Sequence, residues 1–453
     1  MLGSPHFLSR REVLKGAMAA AATPWAARVW SAQGVSMSSQ DIPSPLPRVQ
    51  QFESMAFGIF VHFGLYSLLK KGEWAMHLHN IPRDEYMKLM DEWAVPDFDG
   101  RALARLAKEA GAKYITLTSR HHDGFSLYDS RGLCQWDVTK TPAGRDIIKD
   151  FTDGCRAEGI IPCLYHTTLD WSEPRFNNDW KGYQQYLRDS VEIICSNYGE
   201  LGAVWLDGNW SKRDADWELD ALYSVIRKHQ PETMIINNTG IGEEGKLVHN
   251  EIDAVTFERG RPEPIKREGM TKYVAGEMCH TSNFHWGNAD RDLNMISPAL
   301  VIEELVRSRG AGANLLMNLG PTRTGGIPEY ERAMFHVVGQ WIEYHGGDKC
   351  PIYAGRPSGI HGTDDDFGFV IGDEAYLFVF DVTATADPRV SGTNARGTGP
   401  RLYKGVPAGF KSATWMDDGS EAKFTPADDG VVLDVKGYPY GMNSVVRVVR
   451  MTR

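Results

Sequence analysis

The sequence has no closely spaced cysteines. Cys134, Cys155, Cys163, Cys195, Cys279 and Cys350 are scattered through 453 residues without one CxxC, which supports neither a disulfide framework nor a zinc knuckle. It also lacks an excess of positive charge. The formal net charge is -10, and because duplex binding is driven by Lys and Arg neutralising phosphates, a nucleic-acid partner is excluded. No glycine-rich GxGxxG follows the first apolar run, so a dinucleotide-binding, doubly wound sheet has no support. There is no internal repeat, and low complexity is confined to an Ala-rich amino-terminal stretch and the linker "SSQDIPSPLPR". What is present is enough apolar material for a substantial core: 42% hydrophobic and 11% aromatic residues in a chain long enough for two domains. Thirteen Trp and seventeen Tyr serve mostly that core, but rigid aromatic faces also suit stacking on the C–H faces of sugars. A neutral or polar small substrate fits this composition.

The amino terminus carries an address. "SRREVLKGAMAAAATPWAA" sets Arg10 and Arg11 before a weakly apolar Ala-rich run closed by Pro24, which resembles a twin-arginine export signal: a receptor-read, removable segment rather than a membrane anchor. The expectation is a signal over residues 1–32, a linker over 33–51, a periplasmic or secreted bacterial destination, and no stable membrane insertion.

From Phe57 to Gly320, short β-rich apolar runs alternate with amphipathic stretches. The runs are "FGIFVHFGLY", "YITLTSR", "IIPCLYHT", "GAVWLDG", "MIINN", "DAVTFE", "KYVAGEMC" and "NLLMNLG". Between them, "FDGRALARLAKEAG" puts Leu103, Leu106, Ala107 and Ala110 on one helical face, and "GRDIIKDFTDGCRAEG" does the same with Ile147, Ile148, Phe151 and Cys155. Strand–helix alternation implies parallel strands, and eight units predict a (β/α)8-like barrel over 52–346. The fifth and sixth units are irregular, with the loop-like "TGIGEEGKLVHNEI" where a helix belongs. After "PTRTGGIPE", one more helix ends at Gly346; the short turn-punctuated strands that follow predict a C-terminal β-sandwich domain over 347–453.

Side chains at the carboxyl ends of barrel strands converge on one mouth. Those ends hold His62, His121 and His122, Tyr165 and His166, Asp207, Glu258 and Glu277, a histidine-rich rim with three carboxylates. Two chemistries suit such a rim. A glycosidase needs a nucleophilic carboxylate, a proton-donating carboxyl and groups to hold hydroxyls; a metal-dependent hydrolase needs three or four converging His or Asp ligands. "HHDG" and His77-x-His79 keep the second chemistry in view, but neighbouring strand residues point to opposite faces, and His77 lies in a loop beyond the first strand.

Taken in order, "FGIFVHFGLYS", "GEW", "RHHDGF", "WDVTKTPAGRDI", "CLYHTTLDW", "VWLDG" and "NLLMNLGPTRTGGIPE" resemble the α-L-fucosidases of glycoside hydrolase family 29 over roughly Phe52 to Tyr344. The resemblance implies a retaining exo-glycosidase without metal or cofactor, a (β/α)8-like domain followed by a β-sandwich, and a fucosylated oligosaccharide or glycan as substrate. By the family's W-x-D motif, Asp207 after Trp205 is the nucleophile. Its sugar-holding groups fall on His62, Glu73, Trp74, His121, His122 and Tyr165, with Trp205 beside the nucleophile. For the acid/base, a D-x-x-T-x-E pattern matches Asp253, Thr256 and Glu258; Glu277, before Trp286 and Gly287, is the rival, and Glu251 a third choice. The chain departs from the pattern in "INNTGIGEEG", which lacks an arginine that some relatives present near the site. A catalytically silent sugar-binding barrel is the alternative of a different class.

Overall fold

A computed structural model describes residues 42–238, 245–382 and 397–453; the expected export signal and residues 239–244 of the connection after the fifth strand lie outside the described residues. Eight parallel strands close into a barrel in sequence order: β1 Phe57–Val61, β2 Tyr114–Arg120, β3 Ile161–Thr167, β4 Ala203–Asp207, β5 Met234–Asn238, β6 Ala254–Glu258, β7 Ala275–His280 and β8 Ala313–Leu319. The expected β/α architecture is therefore present.

The helices form where pattern and capping chemistry agree. Ahead of the barrel, α1 (Pro47–Met55) opens on a proline and starts within the stretch expected to be linker. Its Val49, Phe52 and Met55 cluster with Tyr114, Ala254 and Ala275 at the strand beginnings and close the barrel's lower end. α2 (Gly100–Glu109) is capped by Asp99, whose carboxylate accepts from the N–H groups of Arg101 and Ala102, and it buries Leu103, Leu106 and Ala107. α3 (Ile147–Glu158) runs from an Asp146 cap to left-handed Gly159. The remaining long helices are α4 (Trp180–Asn197), α5 (Leu219–His229), α6 (Pro298–Gly310) and α7 (Glu329–Tyr344). As the sequence suggests, the fifth unit is irregular: residues 245–253 hold no helix, and β5 and β6 share a single register pair, Ile236 with Ala254.

Inside the barrel, side chains alternate strictly. Phe60, Tyr114, Cys163, Tyr165, Trp205, Ile236 and Leu316 fill the interior, and the same alternation sends Asp207, two residues beyond Trp205, to the mouth. All six cysteines are buried free thiols.

The C-terminal region is one hydrogen-bonded antiparallel sheet of eight strands rather than two separate sheets. Its strands are β9 Ile360–His361, β10 Phe367–Ile371, β11 Glu374–Val379, β12 Gly399–Lys404, β13 Ser412–Trp415, β14 Lys423–Ala427, β15 Gly430–Val435 and β16 Arg447–Thr452. The sandwich expectation holds in its packing: Leu377, Ala413, Trp415 and Val449 from one half share a core with Tyr403, Val431 and Leu433 from the other, and the two-residue β9 links the halves. The opposite face, with Phe369, Phe378 and Val448, joins the barrel's outer core, where Trp341 of α7 donates its indole N–H to the Val446 carbonyl at 2.9 Å.

Candidate active site

The last residue of β4 organises the mouth. In register, Asp207 lies between Thr167 of β3 and Asn238 of β5. The chain turns away at once through Gly208, whose φ of +121° and the backbone nitrogen of Leu169, 2.6 Å from where a Cβ would sit, leave room only for glycine. Four side chains surround the carboxylate. Trp210 Nε1 donates to Oδ1 at 2.9 Å and Asn238 Nδ2 lies 3.4 Å from the same oxygen; Tyr165 Oη donates to Oδ2 at 3.0 Å, and His122 Nε2 is 3.4 Å from it. Burial pushes the carboxyl's pKa up, but the contacts from His122, Trp210 and Tyr165 outweigh it and hold the group below its ordinary value.

Glu258, at the end of β6, receives the same amide. Asn238 Nδ2 donates to Glu258 Oε2 at 2.8 Å, so the separation of the two facing carboxylate oxygens is bounded by the sum of this and the 3.4 Å contact, about 6.2 Å. Retaining glycosidases hold their carboxyls about 5–5.5 Å apart, and inverting ones about 6.5–9.5 Å. The ionised Asp207 carboxylate can only accept, which turns Nδ2 toward it and leaves Oδ1 to accept from Thr256 Oγ1 at 3.0 Å. Burial and the neighbouring Asp207 charge raise the pKa of Glu258, opposed by Arg259 and the Asn238 N–H. Two like groups are thereby pushed in opposite directions, Asp207 toward the ionised form and Glu258 toward the protonated one, as a division into two roles requires.

The histidines line one wall. His121 and His122 are 4.2 Å apart ring to ring, and His121 stacks on Tyr165. His62 Nδ1 faces Asn318 Oδ1 at 2.8 Å, and Asn318 Nδ2 donates to the Trp286 carbonyl at 2.7 Å. The asparagine oxygen is therefore the acceptor and His62 Nδ1 the protonated nitrogen. Burial, partly offset by Asn318, pushes the His62 pKa down to about 3, which leaves Nε2 as a bare acceptor. Burial likewise holds His121 well below the usual imidazole range, with His122 and His62 adding to it, and His121 Nδ1 has no partner among the described residues. Trp74 stacks on Trp210 and meets His122 and Trp171 edge-on.

Five residues of the expected set have other positions. Glu277, the rival acid/base, lies in the barrel interior, 1% exposed. Tyr114 Oη donates to one of its oxygens at 2.7 Å and Trp205 Nε1 to the other at 2.8 Å, while burial raises its pKa to about 7. Trp205 has thus committed its N–H below the mouth and forms a floor under Tyr165, stacked at 5.6 Å. Glu251 pairs with Arg227 outside the barrel, and Asp253, first residue of the D-x-x-T-x-E pattern, is a buried anchor for Arg48, Arg227 and Lys272. Glu73 faces the site indirectly: its Oε2 accepts the backbone N–H groups of Trp286 and Gly287, both at 2.9 Å, and so fixes the loop after β7. Among the described residues no three His, Cys, Asp or Glu are grouped to hold a metal ion, and His77 instead stacks on Trp171.

Sequence reasoning missed Asn238, Trp210 and Asn318. Each sits at or just beyond a strand's carboxyl end, but the rim read from those ends took only titratable groups, and the two indoles named, Trp74 and Trp205, came from the family resemblance.

The sequence profile described as Alpha-L-fucosidase matches residues 24–347. Tissue α-L-fucosidase of Homo sapiens is 27% identical over 340 residues, 69% of this chain and 70% of that protein; plasma α-L-fucosidase of Rattus norvegicus is 28% identical over 333 residues, 67% and 70%. Among solved structures, α-L-fucosidase isoenzyme 1 from Paenibacillus thiaminolyticus superposes with a TM-score of 0.77 at 27% identity, covering 90% of this chain and 98% of that one. A GH29 α-L-fucosidase from Bacteroides thetaiotaomicron, trapped as a covalent intermediate with 2-fluoro-fucosyl fluoride, superposes at 0.75 with 23% identity, covering 92% and 98%. With seven-tenths of its length under the family profile, the chain belongs to the α-L-fucosidases of glycoside hydrolase family 29.

Proposed function

We propose that this protein is a retaining exo-α-L-fucosidase that removes terminal α-L-fucose from glycans, with Asp207 as nucleophile and Glu258 as acid/base. The observation that carries the reading is the shared amide: Asn238 Nδ2 touches both carboxylates, at 3.4 and 2.8 Å.

In the first step an oxygen of Asp207 attacks the anomeric carbon of fucose and the bond from that carbon to the aglycone oxygen breaks. Glu258 delivers its proton to the leaving oxygen, giving a fucosyl ester on Asp207 and a carboxylate at Glu258. In the second step that carboxylate takes a proton from water, the hydroxide oxygen bonds to the anomeric carbon, and the ester bond to Asp207 breaks; two inversions give net retention. The Trp210, Tyr165 and Asn238 donors keep Asp207 ionised before attack. His62 Nε2 supplies an acceptor, and Trp74 an indole N–H with no partner among the described residues, for the sugar hydroxyls. The Arg10–Arg11 pair supports export by the twin-arginine route; replacing both by Lys should leave the protein in the cytoplasm of a bacterial host.

The test is incubation with 2-deoxy-2-fluoro-α-L-fucosyl fluoride, followed by proteolysis and mass spectrometry. A fluorofucosyl adduct on the peptide containing Asp207 is expected. Rapid inactivation with the label on another carboxylate would reassign the nucleophile, and no turnover of an aryl α-L-fucoside by a folded protein would favour the silent sugar-binding barrel.

A further inference from the structure

β3 ends beside the nucleophile on a hydroxyl that the catalytic scheme does not use. Thr167 is fully buried and lies in register with Asp207 of β4. Its hydroxyl has three partners: the Leu169 carbonyl, the Leu169 N–H at 3.1 Å and His122 Nδ1 at 2.6 Å. A carbonyl brings no proton, so the single hydroxyl proton goes to Leu169. Toward His122 the same oxygen can then only accept, and His122 Nδ1 must carry a proton. The ring is kept in this orientation by its own backbone, whose carbonyl accepts the Trp171 N–H at 2.8 Å, and by edge-on contacts with Trp74, Trp171 and Trp210.

The other ring nitrogen faces the nucleophile. His122 Nε2 lies 3.4 Å from Asp207 Oδ2, and a carboxylate only accepts. A neutral ring protonated at Nδ1 would set a bare nitrogen against that oxygen, whereas an imidazolium offers an N–H on both sides. The other titratable groups around the ring are Asp123, the next residue, His121 beside it, His62 on β1 and His77 in the loop after β1. Burial pushes the pKa values of His62, His121 and His77 down, so the positive charge opposite Asp207 rests on His122. We infer that Thr167 is a positioning residue for the nucleophile: it pins the Nδ1 proton of His122 and thereby makes the Asp207–His122 contact an ion pair between a carboxylate and an imidazolium. Its consequence for the rate rests on the reading of Asp207 as nucleophile, whereas the proton positions rest on the hydrogen bonds alone.

The experiment uses the full chain labelled with nitrogen-15 in its histidine rings, the His122 signals being identified by their loss in His122→Gln. At neutral pH the free protein should show both His122 nitrogens protonated. Asp207→Asn removes the charge and keeps the shape; there Nδ1 should stay protonated and Nε2 should become a bare, pyridine-type nitrogen. Thr167→Val removes the acceptor, and the remaining ring proton should move to Nε2, leaving Nδ1 bare. The second readout is kcat/KM against pH on an aryl α-L-fucoside. With the cation lost, the acidic limb should move to higher pH by about one unit in Thr167→Val, and Thr167→Ser, which restores the hydroxyl, should bring it back. A bare nitrogen at either ring position in the wild type, an imidazolium that persists in Asp207→Asn, or an unmoved acidic limb in folded Thr167→Val overturns the inference. Should Thr167→Val not fold, the wild-type and Asp207→Asn spectra decide it. If the wild type hydrolyses no aryl α-L-fucoside, the nucleophile reading fails instead, and the ring spectra still decide the ion pair.

Discussion

Replacing Asn238 by Ala removes a group that touches both proposed catalytic carboxylates. A hydrogen bond to a charged partner contributes about 1.5–3 kcal/mol, and about 1.36 kcal/mol is a tenfold change in rate, so kcat/KM on an aryl α-L-fucoside should fall roughly 10- to 150-fold. The pH profile makes the prediction sharper. Asn238 stabilises the ionised form of Glu258 and so opposes the upward push of burial and of Asp207; without it the Glu258 pKa must rise further. The basic limb of kcat/KM, which reports loss of the proton donor in the free enzyme, should therefore move to higher pH even as the maximum drops. Asn238→Asp, which keeps the shape but offers no N–H, should lose at least as much. Stability should change little, by about 1–2 kcal/mol for the Thr256 hydroxyl left without its acceptor, so thermal unfolding separates this effect from collapse. An unchanged rate, or a basic limb that moves down, would refute the reasoning.

Asp207→Asn should abolish turnover with little change in melting temperature, read by aryl fucoside hydrolysis and calorimetry. Glu258→Ala should be rescued by azide, giving a fucosyl azide, while Glu277→Ala should show no such rescue; the reverse pattern would exchange their roles. Glu277 also predicts a pH effect on stability. Its pKa is raised in the fold from 4.5 to about 7, so its favourable contribution is complete below the unfolded pKa and is lost as pH rises through about 7, a change of about 3 kcal/mol at roughly 1.36 kcal/mol per unit. Glu277→Gln should therefore gain stability relative to wild type between pH 5 and pH 8 in parallel thermal melts. Asp253→Asn weakens a buried cluster with Arg48, Arg227 and Lys272 and should cost about 3–5 kcal/mol, with activity at low temperature largely retained.

The barrel was legible because its signal is periodic and local: apolar runs at strand length, faces such as Leu103, Leu106 and Ala107, and glycines at helix ends. Three strands of the C-terminal sheet were not read. β14 is an edge strand, mostly exposed and carrying Pro426, which edges tolerate and interiors do not. β12 buries only Arg401 and Tyr403, and two-residue β9 is too short for any period. In the site, Asp207, His62, His121, His122 and Tyr165 followed from their places at strand ends, whereas His166, read into the same rim, points the other way and is buried between Ser119 and Ser190 of α4. Ranking Glu258 against Glu277 required depth: both lie on inward faces of adjacent strands, but Glu277 pairs in register with Thr256, two residues below Glu258. A linear pattern cannot convey that difference in height.

The mouth is tied unevenly. On one side, Glu73 grips the backbone after β7, and Asn318 of β8 joins His62 to the Trp286 carbonyl. On the other, β5 and β6 share one register pair, and Asn238 reaches across to Glu258. For laboratory evolution this divides the enzyme into a fixed anvil and an adjustable jaw. Libraries that reshape the side of the proposed proton donor should leave the Glu73–Trp286 seam untouched and vary residues beside the β5–β6 junction, where small displacements alter the reach of Glu258 without disturbing the histidine wall.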